Sequence, residues 1–216
     1  MIQFKEMDLK LLLGTYNQGK ATEISNVLRD LDINFFTLKA FPQAQPVKEA
    51  GATYEENAIL KAQGYARQSG LWTLADDSGL EVDALDGAPG VLSARYAGAG
   101  ASDRDRIDLL LEQLSACAPD KRAARFMSVV ALADSNARVV KVEYGVCEGT
   151  IVEPPRGTNG FGYDPIFVPQ GYTETFAELP SAIKDVISHR GKALQAMRGF
   201  LAQLIASNLT QSDSSS

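Results

Sequence analysis

The sequence predicts an α/β protein built on a mixed β-sheet. Short apolar runs alternate along the chain with segments whose apolar residues recur at helical spacing, an order that builds strand and helix units rather than separate blocks of each. Near the N-terminus strand, loop and helix follow one another, whereas two long runs rich in Val and aromatics are joined by DSNA and form an antiparallel hairpin.

Lys10 to Leu13 is a short apolar strand ending at Gly14 and the polar loop TYNQGK, and the helix from Ala21 to Leu31 places Ile24, Val27, Leu28 and Leu31 at helical spacing. Asn34 to Leu38 reads as a second strand, and FPQAQPVKEAG, with two prolines and a glycine, as a long exposed loop. Thr53 with Glu56 gives the capping-box pattern for a helix that runs to about Ser69 and stops at Gly70. Leu71 to Ala75 is a strand that ends on Asp76 and Asp77. Ser102 with Asp105 marks another helix start, running to about Leu114 with Ile107, Leu110, Leu111 and Leu114 inward. Ala124 to Ala133 and Arg138 to Cys147 are the hairpin strands, glycine and proline crowd Gly149 to Pro169, and a last helix runs from about Ser188 to Asn208. Residues 209–216, ending in QSDSSS, read as a disordered Ser-rich tail, and no internal repeat is visible, so 1–208 is expected to be a single domain.

A chain of 216 residues, 45% hydrophobic and 22% charged, is globular and large enough for one sizeable core or two small lobes. Its net charge of -6 argues against a nucleic-acid partner and against attraction to anionic membranes, although local basic clusters can still bind a small anion. The start, MIQFKEMDLK, carries charges where a signal peptide needs an apolar core, and no apolar run is long enough to span a bilayer, so a cytoplasmic location is expected. Two separated cysteines, Cys117 and Cys147, and a single histidine make a zinc site or disulfide framework an unsuitable reading.

Four polar clusters interrupt the scaffold. TYNQGK, with Thr15, Asn17 and Lys20, leads into a helix N-terminus whose free N–H groups and dipole suit an anion; alone it reads better as an ordinary N-cap turn, and it fails the Walker A pattern at Ala21. Asn57 and Lys61 stand four apart on one helix face and could both address a ligand or simply be solvated, with Glu49 on the loop before them. Asp76 and Asp77, at a strand end where α/β sheets build crevices, offer the oxygen ligands that Mg²⁺ selects, against an Asp-rich turn with Ser78 and Gly79. In the C-terminal half, RGTNGFGYDPIF offers close backbone approach at its glycines and flat faces at Phe161 and Tyr163 beside the acceptor Asp164, while Lys184, His189 and Arg190 gather donors near a helix start.

Together TYNQGK, EAGATYEENAILKA, LADDSGLEVDAL, APGVLSARYAG, RGTNGFGYDPIF and ISHRGKAL resemble, in order and spacing from about Leu11 to Phe200, the inosine/xanthosine triphosphate pyrophosphatase family, housecleaning enzymes for nonstandard purine nucleotides. The resemblance implies an elongated mixed sheet flanked by helices, two lobes with the active site in the cleft between them, and a homodimer. It also implies Mg²⁺-dependent hydrolysis of dITP, ITP and XTP to the monophosphate and pyrophosphate, with Mn²⁺ a possible substitute. On the matching motifs, Thr15, Asn17, Lys20 and Lys61 are implied as phosphate contacts, and Glu49 and Asp77 as metal ligands with Asp76 alongside. Asp77 is further implied as proton acceptor for the attacking water, with Lys20 in the catalytic set and Ser78 touching substrate. Phe161 is implied to stack on the base, Gly162, Tyr163 and Asp164 to line its pocket, and Lys184, His189 and Arg190 to read it. The alternatives are a pyrophosphatase for other modified or pyrimidine nucleotides, or a nucleotide sensor without catalysis.

Overall fold

The computed structural model describes residues 9–213. β1 (Leu9–Leu13) lies between β2 (Ile33–Thr37) and β3 (Trp72–Val82) and is parallel to both. β4 (Ala123–Ala133) and β5 (Val139–Ile151) form the DSNA hairpin, β4 runs antiparallel to β3, and β6 (Phe167–Pro169) closes the edge, giving the order β2-β1-β3-β4-β5-β6. The sheet is therefore mixed.

Local chemistry sets the helix ends. α1 (Gln18–Leu28) begins inside TYNQGK, because the Asn17 side chain accepts from the Lys20 N–H at 3.0 Å and caps the helix there. α2 (Tyr54–Ser69) is capped by Thr53, which accepts from the Glu56 N–H, and closes on Gly70 in the left-handed conformation. The Glu56 carboxylate takes the Ala52 N–H rather than completing a box on Thr53. α3 (Asp103–Gln113) has the full capping box of Ser102 and Asp105.

Two readings of the C-terminal third change. A separate helix, α4 (Ser181–Ile187), carries Lys184, and Ser188 in extended conformation breaks it from α5 (His189–Asp213). α5 runs past Asn208 to Asp213, with no glycine or proline to stop it, and the rest of the Ser-rich tail lies outside the described residues.

The sheet supports two cores. α1 and α5 cover Leu11, Leu13, Leu74, Val130 and Leu132, while the small face of α2 (Ala58, Ala62, Ala66) covers Ala75, Val129 and Ala131 on the other side. Farther along the same strands, Leu80, Val82, Phe126 and Ile151 pack with Phe167, Phe176 and Leu110 of α3. β3 pairs with β1 only through Leu74 but with β4 from Thr73 to Val82, so it crosses from one core to the other. Asp76 and Asp77 consequently sit inside a continuous strand, at the crossing, and not at its end. The turn reading fails because β4 supplies a partner to each residue of the motif. Cys147 is buried, its thiol pushed up to about 11 by that burial, and both cysteines are free. Among the described residues no helix is long and apolar enough to cross a membrane.

Candidate active site

Alternation along β3 explains how two carboxylates can stand side by side. Successive strand residues point to opposite faces, so Asp76 shares a face with Leu74 under α1 and α5, and Asp77 shares the other with Ala75 under α2. Each meets its own lysine: Lys20 Nζ of α1 lies 3.0 Å from Asp76 Oδ2, and Lys61 Nζ of α2 lies 2.8 Å from Asp77 Oδ1. Repulsion gives way to two local ion pairs.

The two aspartates differ in surroundings. Asp76 is fully buried and its Oδ2 also accepts from Arg190 Nε at 3.0 Å. Burial would raise its pKa, but Lys20 and Arg190 outweigh that and hold it far below the ordinary carboxylate range. Lys20 is drawn below its ordinary value by burial, which the attraction of Asp76 does not fully offset. Asp77 is pushed up by burial against the opposing pull of Lys61, and its Oδ2 has no protein partner among the described residues. Glu49 Oε1 lies 3.2 Å from the same Lys61 Nζ, so one ammonium joins Glu49 and Asp77. Burial tends to lower Lys61, but Asp77, Asp76 and Glu49 hold it above its ordinary value.

Thr15 and Asn17 shape the turn into α1. Thr15 Oγ1 accepts from the Asn17 N–H at 3.1 Å, so both side chains organise the loop whose free N–H groups open beside Lys20. The opposite wall is built from Phe161, Gly162, Tyr163 and Asp164, with Lys184 of α4 and the first residues of α5. Lys184 binds Asp164 and lies 2.8 Å from Glu23 Oε1, its Nζ 4.9 Å over the Phe161 ring centroid. His189 stacks on Phe126 with centroids 4.6 Å apart, and Arg190 donates to Ser78 Oγ at 2.8 Å. Burial first, then Arg190 and Lys184, push His189 well below its ordinary pKa and disfavour its charged form, and its Nδ1 lacks a partner among the described residues. The close seat of α5 requires Gly145 on β5, where a Cβ would stand 1.9 Å from the His189 carbonyl oxygen.

One cleft of about 290 Å³ is lined by Thr15, Asn17, Lys20, Glu49, Lys61, Asp77, Ser78, Phe161, Gly162, Tyr163, Asp164, Lys184, His189 and Arg190. Of the site residues expected from sequence, the structure leaves Asp76 out of the lining, behind Lys20 and Arg190, and with it Asn57 of the α2 face. The sequence profile of the Ham1 family matches residues 11–200. The chain belongs to the Ham1 family. It is 46% identical over 200 residues to the dITP/XTP pyrophosphatase of Streptomyces avermitilis, covering 91% of this chain and 98% of that protein. Two solved structures share the fold: a HAM1 protein from Coxiella burnetii, with TM-score 0.81, 44% identity and coverage of 90% of this chain and 99% of that one, and the Ham1 protein of Staphylococcus aureus, with TM-score 0.78, 38% identity and coverage of 89% and 97%.

In this Ham1 chain, sequence reasoning assigned no role to Glu23, which stands behind the cleft, or to Asp103, which lines it. Glu23, one turn beyond Lys20 on α1, bridges Lys184 and Arg190; burial opposes its ionisation, but both cations hold it below the ordinary range. The signal was the i, i+3 spacing of Lys20 and Glu23, which places them on neighbouring parts of one helix face. Asp103, at the end of AGAGASD, accepts from the Gly162 N–H at 2.7 Å and ties α3 to the aromatic loop.

The donor set also tests the fit of a metal. Glu49 and Asp77 present hard oxygens already gathered around one cationic centre, Lys61 Nζ. Among the described residues no three His, Cys, Asp or Glu converge, so a cation there would take its remaining ligands from substrate phosphates and water, the habit of Mg²⁺.

Proposed function

We propose that this chain hydrolyses dITP, ITP and XTP to the nucleoside monophosphate and pyrophosphate, in the cytoplasm as a homodimer dependent on Mg²⁺, keeping deaminated purines out of DNA and RNA. The supporting observation is the single cleft that joins the phosphate-side lysines, the open oxygen of Asp77 and a donor-rich aromatic wall. The relatives' names carry the nonstandard purine specificity to this chain.

Lys20, Lys61 and the N–H groups at the start of α1 hold the triphosphate. Asp77 Oδ2 accepts the proton of a water whose oxygen attacks the α-phosphorus, while the bond to the bridging oxygen breaks and pyrophosphate leaves with the electron pair. When bound, Mg²⁺ would be held by Glu49 and Asp77 and would neutralise phosphate charge; Mn²⁺ has the same preference for oxygen ligands. A divalent cation suits the charge balance, since Lys20, Lys61, Lys184 and Arg190 already face Glu23, Glu49, Asp76, Asp77 and Asp164. Asp76 serves this reaction from behind, by orienting Lys20 and Arg190 rather than by ligating metal.

On the base side Phe161 supplies the stacking face. Lys184 spends two of its three N–H donors on Glu23 and Asp164, and the Arg190 terminal nitrogens each keep one after binding Glu23 and Ser78. Those donors suit the 6-keto oxygen of hypoxanthine and xanthine and oppose the 6-amino group of adenine, which leaves buried donors unpaired. Steady-state pyrophosphate release is expected to favour dITP over dATP by about 100-fold or more in kcat/KM and to need Mg²⁺; a preference for ATP or dTTP would overturn the reading. His189→Ala should cut the dITP preference roughly tenfold, and unchanged selectivity would remove His189 from base recognition.

A further inference from the structure

Asn57, Lys61 and Tyr65 stand four residues apart on one face of α2, and each holds an alternate residue of the loop ahead of the helix. The Gly51 N–H donates to Asn57 Oδ1 at 2.9 Å, Glu49 Oε1 pairs with Lys61 Nζ at 3.2 Å, and the Val47 N–H donates to the Tyr65 hydroxyl oxygen at 3.3 Å. Four residues of helix rise about 6 Å, and two residues of open chain span up to about 6.6 Å. The helix and the loop therefore keep step, and the loop lies along α2 in a fixed register. Gly51 permits the closest part of this approach, since a Cβ there would stand 2.6 Å from Glu56 Cβ and 2.9 Å from Asn57 Oδ1.

Asn57 is 1% exposed and outside the cleft lining, so it addresses the loop and not a ligand. Glu49, by contrast, has a side chain one-third exposed, at 33%, and among the described residues its carboxylate touches only Lys61 and, at 3.6 Å, the half-exposed Arg95. Those contacts alone leave the backbone of Glu49 free to shift; the ties two residues before it and two after it do not. We propose that Asn57 and Tyr65 are positioning residues that clamp the loop on either side of Glu49 and so fix its carboxylate beside Asp77. This rests on the reading of Glu49 as a metal-holding carboxylate.

The test uses Tyr65→Phe, which removes the hydroxyl and keeps the ring that lines the cleft, and Asn57→Ala. Mn²⁺ affinity is measured by electron paramagnetic resonance in the presence of the non-hydrolysable α,β-imido analogue of dITP, and amide exchange is followed at Val47 and Gly51. Each variant is expected to weaken Mn²⁺ about tenfold or more, the usual effect of losing an outer partner of a metal ligand, to speed exchange at the amide it releases, and to raise the half-saturating Mg²⁺ for turnover while kcat at saturation stays within about twofold. Wild-type Mn²⁺ affinity in both variants would overturn the positioning role by itself. A wild-type protein that binds no Mn²⁺ with the analogue would overturn the functional reading and this inference with it. Tyr65→Phe keeps the ring and its packing, so the outcome stands even where Asn57→Ala fails to fold.

Discussion

Asp77→Asn is expected to lower kcat by about 10² to 10⁴-fold, the range of a positioned general base, while nucleotide binding stays within a few-fold of wild type. The substitution is nearly isosteric, and at a side chain as buried as Asp77 that preserves packing. Lys61 keeps Glu49 as a counterion at 3.2 Å, so the phosphate-side cations remain in place. What disappears is a basic oxygen open to the cleft. Burial holds the Asp77 pKa above its ordinary value, so wild-type kcat/KM should fall as pH drops through that raised value, because the base works only when deprotonated. The variant should lack this acidic limb. Pyrophosphate release across pH, with calorimetric binding of a non-hydrolysable dITP analogue, separates the two terms. A variant as active as wild type would remove Asp77 from proton transfer.

The same residues show how far a sequence can be read. Thr53, Gly70, Ser102 and Asp105 announced their helix ends because a cap is a contact within four residues, and local chemistry agreed with the fold. The continuation of β3 through ADDSG was not legible, since what sustains it is the pairing of Asp76 with Val130, Asp77 with Val129 and Ser78 with Ser128, more than 40 residues away. Polar residues and a glycine imitate a turn when their strand partner is out of view. The cleft itself was legible as separate motifs, each of them weak, because phosphate and base chemistry demand particular residue types. The clamping of Glu49 and the bridging by Glu23 were not, because in a sequence a buried carboxylate serving two cations looks like any charge on a solvated helix. The distinct fates of Asp76 and Asp77 follow from a period of two, which sequence does state; reading it required knowing that the strand goes on.

That difference in fate yields the second large effect. Asp76→Asn is expected to destabilise the fold by roughly 3 to 5 kcal/mol, the cost of breaking a buried ion pair from one side. Asp76 has a fully buried side chain and shares Oδ2 between Lys20 and Arg190, both at 3.0 Å. Arg190 keeps Glu23 after the substitution, so the stranded charge is Lys20. Burial already draws Lys20 below its ordinary value, so its charged form depends on the Asp76 carboxylate. The pH dependence has a definite sign. A carboxyl whose folded pKa is depressed contributes stability above its unfolded value of about 3.9 and loses that contribution as pH falls toward the folded value. The gap between wild type and variant in urea unfolding should therefore be full at neutral pH and shrink below about pH 4. Lys20→Met added to Asp76→Asn should restore part of the loss, because it removes the unpaired charge. Equal stability of Asp76→Asn and wild type at neutral pH would show that Lys20 and Arg190 do not depend on this carboxylate. Asp77→Asn and Asp76→Asn should then differ in their first effect, one losing turnover in a stable protein and the other losing stability, although the residues are neighbours in sequence. Only opposite faces of one strand, each closed by a different helix and lysine, produce that contrast.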